Sequence, residues 1–340
     1  MKAAVSQKII AENLGLSRMA VSLALRGSER ISAETRKRVR TEAERLGYRR
    51  DPTLSALSRY RHASDAGHYR ETVAFVTKWR EPQGWRENYV YRFFKGARAA
   101  ADRTGYRIEP FWLGEYNTGT KASAVLAARG IRGLLLAPME QPGAISLTWD
   151  KFATVAVGPT LLQPAVDRVL HDYEGSMRLI LEELLIRGYR RPALILPPRV
   201  DRITERQVAN TFLAEQRRNP ALRHALTWFS DDETARTFTI WVRKHRPDCL
   251  ITLSGQSIEW LRADGWRVPE EIGCVNLHIK LCNAGWSGID YGAEEIGAAA
   301  LDRLDLLLQR NALGLPVRAV KTLLLGRWVQ GTWVRNPSHE

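Results

Sequence analysis

The sequence predicts two unlike parts: a small all-helical unit at the N-terminus, then a large α/β body with mainly parallel sheets. Three observations point there. Residues 5–47 carry apolar side chains at helical spacing in three short runs. From Glu71 onward, strand-like and helix-like runs alternate about every 25–30 residues, the pattern of βαβ units. The charge is also divided. Of a net +14 over 340 residues, residues 1–62 carry fourteen Lys and Arg against six Asp and Glu, which leaves only +6 for the other 278.

In the first unit, SQKIIAEN places Ile9, Ile10 and Leu14 on one helical face. Gly15 in LGLS suits a tight turn, and Ser17 suits an N-cap. The next run, RMAVSLAL, buries Ala20, Val21, Ala24 and Leu25 and turns Arg18, Met19, Ser22 and Arg26 outward, until Gly27 breaks it. Ser32 caps a third helix, with Glu34 in its first turn, where the helix dipole favours an anion. That helix runs through Val39, Ala43 and Leu46 to Gly47. Residues 49–70 form a connector. Asp51-Pro52 is a good helix start, but a helix of one or two turns around Leu54, Ala56 and Leu57 needs a partner to fold. HASDAGH, residues 62–68, has the composition of a linker.

In the body, strands are expected at TVAFVTKW, YRIEPFWL, IRGLLLAP, FATVAVGP, RRPALILPP, ALTWFS, PDCLITLS, EIGCVNLH and the closing VKTLLLGRWVQGTWV. Helices are expected at 91–103, 123–128, 176–186, 204–216, 235–244, 257–263 and 293–309. About ten such units overfill one small doubly wound sheet, so either two α/β subdomains or a barrel would hold them.

Composition narrows the function classes. With 44% hydrophobic and 26% charged residues the chain is ordinary globular protein, and its basic surplus favours an anionic partner such as nucleic acid, an anionic membrane surface or an acidic ligand. No apolar run nears the ~18 residues of a membrane span. Glu12 and Asn13 fall where a signal peptide needs an apolar stretch. Cys249, Cys274 and Cys282 are odd in number and form no CxxC, which fits reduced thiols in a cytoplasmic protein.

The run VSQKIIAENLGLSRMAVSLALRGSERISAETRKRVRTEAERLGYRRDPTLSAL resembles the headpiece of the LacI/GalR family of transcription regulators, with IAENLGLS, AVSLAL, ISAETRKRV and LGYRRDP in that family's order and spacing. More weakly, HDYEGSMRLILEELLIRGYRRPALI and RADGWRVPEEIGCVNLH resemble passages of the family's core. The resemblance implies a three-helix helix-turn-helix domain over 1–48 and a hinge helix and linker over 49–70. It then implies an α/β core of two doubly wound parallel-sheet subdomains of the periplasmic-binding-protein-like type I over 71–340. Subdomain 1 would be about 71–168 with 291–320, and subdomain 2 about 169–290 with 321–335.

It further implies a homodimer on double-stranded DNA, most simply a cytoplasmic repressor, with a dimer face on the helix around Phe94 and the long helix from Ala293. Ser6, Ser17, Arg18, Met19 and Ser22 would lie at the major groove. There an arginine can pair bidentately with guanine and a methionine can touch a thymine methyl. Arg26, Arg30, Thr35 and Tyr48 would contact phosphates, which fixes register without reading sequence. Ala56 and Leu57 would enter the minor groove, where an apolar wedge unstacks a base step. Leu23 after the VS pair and Arg50 before Asp51 depart from the family pattern, which leaves the operator sequence and the stiffness of the hinge open.

For a small-molecule effector, the resemblance points to Tyr91, Arg206, Ser254 and His278. Many relatives place an Asn-Asp pair where Ser254-Gly255 stands, and a later Asp where His278 stands. The acceptors that hold sugar hydroxyls are therefore largely missing. Three expectations remain: an effector that is less hydroxylated or anionic, a carbohydrate held by other residues, or a core with no effector that serves dimerisation.

No enzyme is expected. GxGxxG after the first strand, GxxxxGK[ST], GxSxG and HExxH are all lacking, and no His/Cys set has metal spacing. Asp231-Asp232-Glu233 reads as a helix start. No cofactor or metal is expected. An effector-independent architectural DNA binder and a DNA-localised enzyme are the alternatives from other classes.

Overall fold

The computed structural model describes residues 7–25, 31–46, 48, 71–230, 234–279 and 285–336. The N-terminal unit is three helices, α1 (Gln7–Leu14), α2 (Arg18–Leu25) and α3 (Ala33–Arg45). Between α1 and α2 the chain reverses at Gly15, whose φ of +64° a β-carbon would resist, and Leu16 N–H returns to Ala11 O at 2.9 Å. Ser17 Oγ accepts from Ala20 N–H at 3.1 Å, and Ser32 Oγ from Thr35 N–H at 3.2 Å, so both following helices start on a serine. Ile10, Ala11, Val21, Ala24, Val39 and Ala43 are buried together, with Leu14, Leu16, Leu25, Ile31, Leu46 and Tyr48 around them.

The body holds β1 (Glu71–Thr77), α4 (Val90–Thr104), β2 (Tyr106–Trp112), α5 (Gly119–Ala128), β3 (Gly133–Leu136), β4 (Gly143–Ala144), β5 (Ala153–Val157), β6 (Leu161–Gln163) and β7 (Asp167–His171). There follow α6 (Tyr173–Ile186), β8 (Pro192–Ile195), α7 (Pro198–Ile203), α8 (Gln207–Arg218), β9 (Leu226–Trp228), α9 (Ala235–His245), β10 (Cys249–Thr252), α10 (Ser257–Ala263) and β11 (Gly273–Asn276). Last come β12 (Ser287–Asp290), α11 (Ala293–Gln309), β13 (Lys321–Leu324) and β14 (Arg327–Val329).

Two six-stranded sheets result, and the barrel alternative falls away. The first runs β13-β7-β5-β3-β1-β2 and is parallel throughout. The second runs β14-β12-β11-β10-β8-β9 and is parallel except for β14, which lies antiparallel on β12. GLLL of β3 and ATVAV of β5 are buried at every position, as strands covered on both faces require. A two-stranded ribbon, β4-β6, lies apart.

The chain passes between the sheets three times: from β7 to α6 at 171–173, from β12 to α11 at 290–293, and from β13 to β14 at 324–327. The last passage corrects the expected subdomain boundary. Lys321–Leu324 pairs with β7 in the first sheet, and only the residues after it join the second. An edge position on either sheet suits the same apolar run, so the run itself does not select its partner.

Other local expectations also change. The helix foreseen over 204–216 is α8, which starts three residues later because Glu205 and Arg206 take φ of 51° and 60°, and a short separate helix, α7, precedes it. The N-cap before α9 is Thr234, in a reciprocal capping box with Thr237, rather than the acidic run 231–233, which lies outside the described residues. Phe94 is no surface contact. It is buried against Phe75 and Trp85, so the outward residues of α4 are Tyr91, Lys95, Arg98 and Asp102.

Helices α4 and α11 pack together over the first sheet with almost no gap. A Cβ on Gly96 would stand 1.8 Å from Glu294 O, and one on Gly297 2.0 Å from Phe93 O. Backbone cannot yield as a side-chain tip does, so Gly96→Ala and Gly297→Ala should each cost about 1–3 kcal/mol. Calorimetry should show a lower melting temperature for each variant, and an unchanged value would mean the helices separate freely.

Candidate nucleic-acid interface and core cleft

The three-helix unit presents the N-terminal end of α2 to solvent. Met19 is 73% exposed, a large apolar side chain with nothing over it, and Arg18 beside it is exposed too. Ser17 is exposed but engaged by its cap bond, while Ser22 is only half exposed. Lys37, Arg38 and Arg40 add exposed charge along α3. Arg36 does not, because its Nη1 donates to Ile31 O at 2.7 Å and holds the turn before α3.

Thr35 is half-buried, with its hydroxyl 2.9 Å from Ser32 Oγ. Tyr48 Oη accepts from Gln7 Nε2 at 3.1 Å, which fastens the end of the unit to its first helix. Ser6, Arg26, Arg30, Ala56 and Leu57, with the connector 49–70, lie outside the described residues.

A polar clasp joins α1 to α3. Glu42 accepts from Asn13 Nδ2 at 2.8 Å and from Arg45 Nε and Nη2 at 2.7 Å each. Arg45 first, then Asn13, hold its carboxyl down to about 2. A depressed carboxylate contributes stability above its ordinary range near 4.5 and loses it as pH falls towards 2. Glu42→Gln should therefore lower the cooperativity of the three-helix unit at neutral pH. It should also flatten the acid limb of unfolding followed by circular dichroism. Identical acid limbs would mean the clasp is ornamental.

In the body, residues at the C-terminal ends of strands from both sheets come into contact, the end at which ligands of open α/β sheets are commonly held. Of the four residues expected there, the structure brings only His278 into a built cluster. Its ring stacks on Tyr291 at 4.0 Å and 1°, and its N–H donates to Asn276 Oδ1 at 2.9 Å. Tyr291 stacks in turn on His171 at 3.5 Å and 17°. Tyr89 meets the His278 ring edge-on at 5.5 Å, and Tyr173 meets both His171 and Tyr291.

Tyr91 is displaced from this group. It packs on Phe94 and Trp85, and Tyr89, two residues earlier, takes the place facing His278. Ser254 works locally: its Oγ accepts from Gln256 N–H at 3.2 Å and shapes the loop before α10. Arg206 is exposed at the start of α8, with its N–H bonded to Asp201 O at 2.7 Å, and Glu205 beside it reaches Lys321 in the first sheet at 2.7 Å.

His171 lies at the buried end of the cluster. His171 is 3% exposed and neither ring nitrogen has a well-formed hydrogen bond, although the main chain of Tyr291 gives partial polar compensation. Burial, then the neighbouring His278, drives its pKa down to about 3. Burial also raises the hydroxyl pKa of Tyr89, Tyr173 and Tyr291. Sequence reasoning missed His171, Tyr173, Tyr89 and Tyr291. The available signal was positional, since HDY and DYG each end a strand at the sheet's C-terminal edge. Among the described residues no His, Cys, Asp or Glu group could hold a metal ion, and no helix is long and apolar enough to cross a membrane.

Two family models match. That of bacterial regulatory proteins, lacI family, covers residues 8–51, and that of the periplasmic binding protein-like domain covers 181–327. No curated protein matches the sequence. Among solved structures, the Lac repressor dimer bound to operator and the anti-inducer ONPF is similar over 98% of this chain and 100% of its own, at 17% identity and TM-score 0.57. The transcriptional regulator CelR in complex with cellobiose is similar over 97% and 99%, at 19% and 0.51. A putative transcriptional regulator protein of the LacI family from Rhizobium etli is similar over 78% and 99%, at 13% and 0.59. These likenesses carry the fold. Residues 8–51 thus match the lacI family of bacterial regulatory proteins and residues 181–327 match the periplasmic binding protein-like domain, and the fold is that of these solved structures.

Proposed function

We propose that the protein is a cytoplasmic, sequence-specific repressor that binds a near-palindromic DNA site as a homodimer and is modulated through its core cleft. One observation carries the reading: the N-terminal end of α2, with Arg18 and Met19 exposed, is held on a fully packed three-helix core. A rigid platform with an arginine fork and an apolar tip at a helix N-terminus suits the major groove.

In this reading Arg18, Met19, Ser17 and Ser22 face base edges, with Ser6 at the groove's margin. Arg26, Arg30, Thr35 and Tyr48 lie along the phosphates, and Ala56 and Leu57 wedge the minor groove. Tyr48 acts mainly by fixing the chain's exit from the three-helix unit, because its hydroxyl is already bonded to Gln7. The second copy sits on the outward face of α4, at Tyr91, Lys95, Arg98 and Asp102.

The cleft switches the dimer between two arrangements. A ligand moves that balance only by binding one arrangement better than the other. Around His278 stand aromatic rings, and Arg206 is exposed just before α8, so a flat or anionic effector is favoured over a polyol.

Selection from random duplexes with the full-length protein tests this. An enriched near-palindrome is expected. Arg18→Ala should relax one base position in each half-site by about 1–3 kcal/mol. Leu57→Ala should weaken binding through the centre of the site without changing the half-sites. Binding with no enrichment, indifferent to both substitutions, would leave an architectural DNA binder instead.

A further inference from the structure

The ladder His171–Tyr291–His278 spans the passages between the two sheets, and its position suggests a ligand simpler than any metabolite. We propose that the proton is a ligand of the core cleft: the ladder holds the two sheets closed only while its imidazoles are uncharged, and acidification opens it. This rests on the reading of the core as a two-arrangement switch.

The geometry supports it rung by rung. His171 ends β7 of the first sheet. Tyr291 follows β12 and His278 follows β11, both of the second. Tyr89, ahead of α4 on the first sheet's side, closes the far end against His278. The two end contacts of the ladder therefore join the halves, while the middle one lies within the second, and separating the halves parts His171 from Tyr291 and Tyr89 from His278. The third passage seals it, since a Cβ on Gly326 would stand 2.7 Å from His171 Cε1 and 2.9 Å from Ser176 Oγ.

Among the described residues no carboxylate forms an ion pair with His171 that would welcome a charge. From α6 it meets Tyr173, from β12 Tyr291, and beyond that ring His278. The neighbouring acids are engaged elsewhere: Asp172 caps Gly175 N–H, and Asp290 accepts from Gly292 N–H and pairs with Arg327. A cation stacked on a tyrosine gains some attraction from the ring. Burial outweighs it here, as the depression of His171 to about 3 reflects.

The sign follows. A histidine whose pKa is depressed in the closed form keeps that form's full advantage above the ordinary value near 6.5. The advantage shrinks by about tenfold per pH unit below that value. The decline continues until the closed-form value near 3. Between pH 7.5 and 5.5 the ratio of closed to open core should then fall about tenfold from this one residue.

The test uses the full-length protein at constant ionic strength from pH 8 to pH 5. Small-angle scattering reads sheet separation, and titration of the selected duplex reads DNA affinity. Expected is an expansion of the core that sets in below about pH 6.5, with a parallel change in DNA affinity. His171→Phe keeps a flat ring without a titrating nitrogen and should flatten the scattering response, and His278→Phe provides a second variant should the first not fold. His224→Asn, an exposed histidine outside the ladder, should respond like the wild type. A wild-type core that stays closed to pH 5, or a His171→Phe core that opens as the wild type does, would overturn the inference. An intact pH-driven opening without DNA binding at any pH would instead sink the regulator reading and leave the proton site standing.

Discussion

Everything in the core depends on three lengths of main chain that cross between two sheets side by side. Each sheet is incomplete without segments delivered by these crossings: the first takes β13 and α11, and the second takes β14. Because all three leave strands at the same end, the crossings define both the hinge and the floor of the cleft. The side chains there are aromatic and imidazole rings, which can stack face to face across a moving joint. Glu205 and Lys321 add a bond between the halves at 2.7 Å, but both are exposed, and such pairs contribute little.

The two functional regions are built on opposite principles. In the three-helix unit the packed residues are mostly small and aliphatic, the polar clasp is on the surface, and Arg18 and Met19 face outward from the start of the second helix. Around His278 the packing is aromatic instead, with ring stacked on ring between strand ends of the two sheets.

Much of this was legible before any coordinates. Local signals fix the N-terminal helices: a glycine where the turn needs positive φ, serines where helices begin, and apolar residues on one face. Alternation of strand and helix likewise foretold parallel sheets. What was not legible depends on distance in the chain. The apolar run at 321–324 has no mark that assigns it to β7 rather than to the second sheet. Tyr91 and Tyr89 differ by two residues, and only the packing of Trp85 and Phe94 decides which of them turns inward. Arg206 looked like part of a helix's first turn because nothing in its neighbours announces two left-handed residues in a row. His171 is one rung of a ladder whose next two rungs, Tyr291 and His278, stand more than a hundred residues away.

The late arrival of β13 has a consequence for how the protein comes to exist. The three-helix unit uses only residues found within the first 48, so it can form as soon as they have been synthesised. The first sheet starts at Glu71 but cannot complete its edge until residue 324 has been added, nor cover one face until α11 has. Long-range closure of that kind is slow and leaves apolar strands waiting. During translation, the part built to hold nucleic acid is therefore ready well before the part that would govern it.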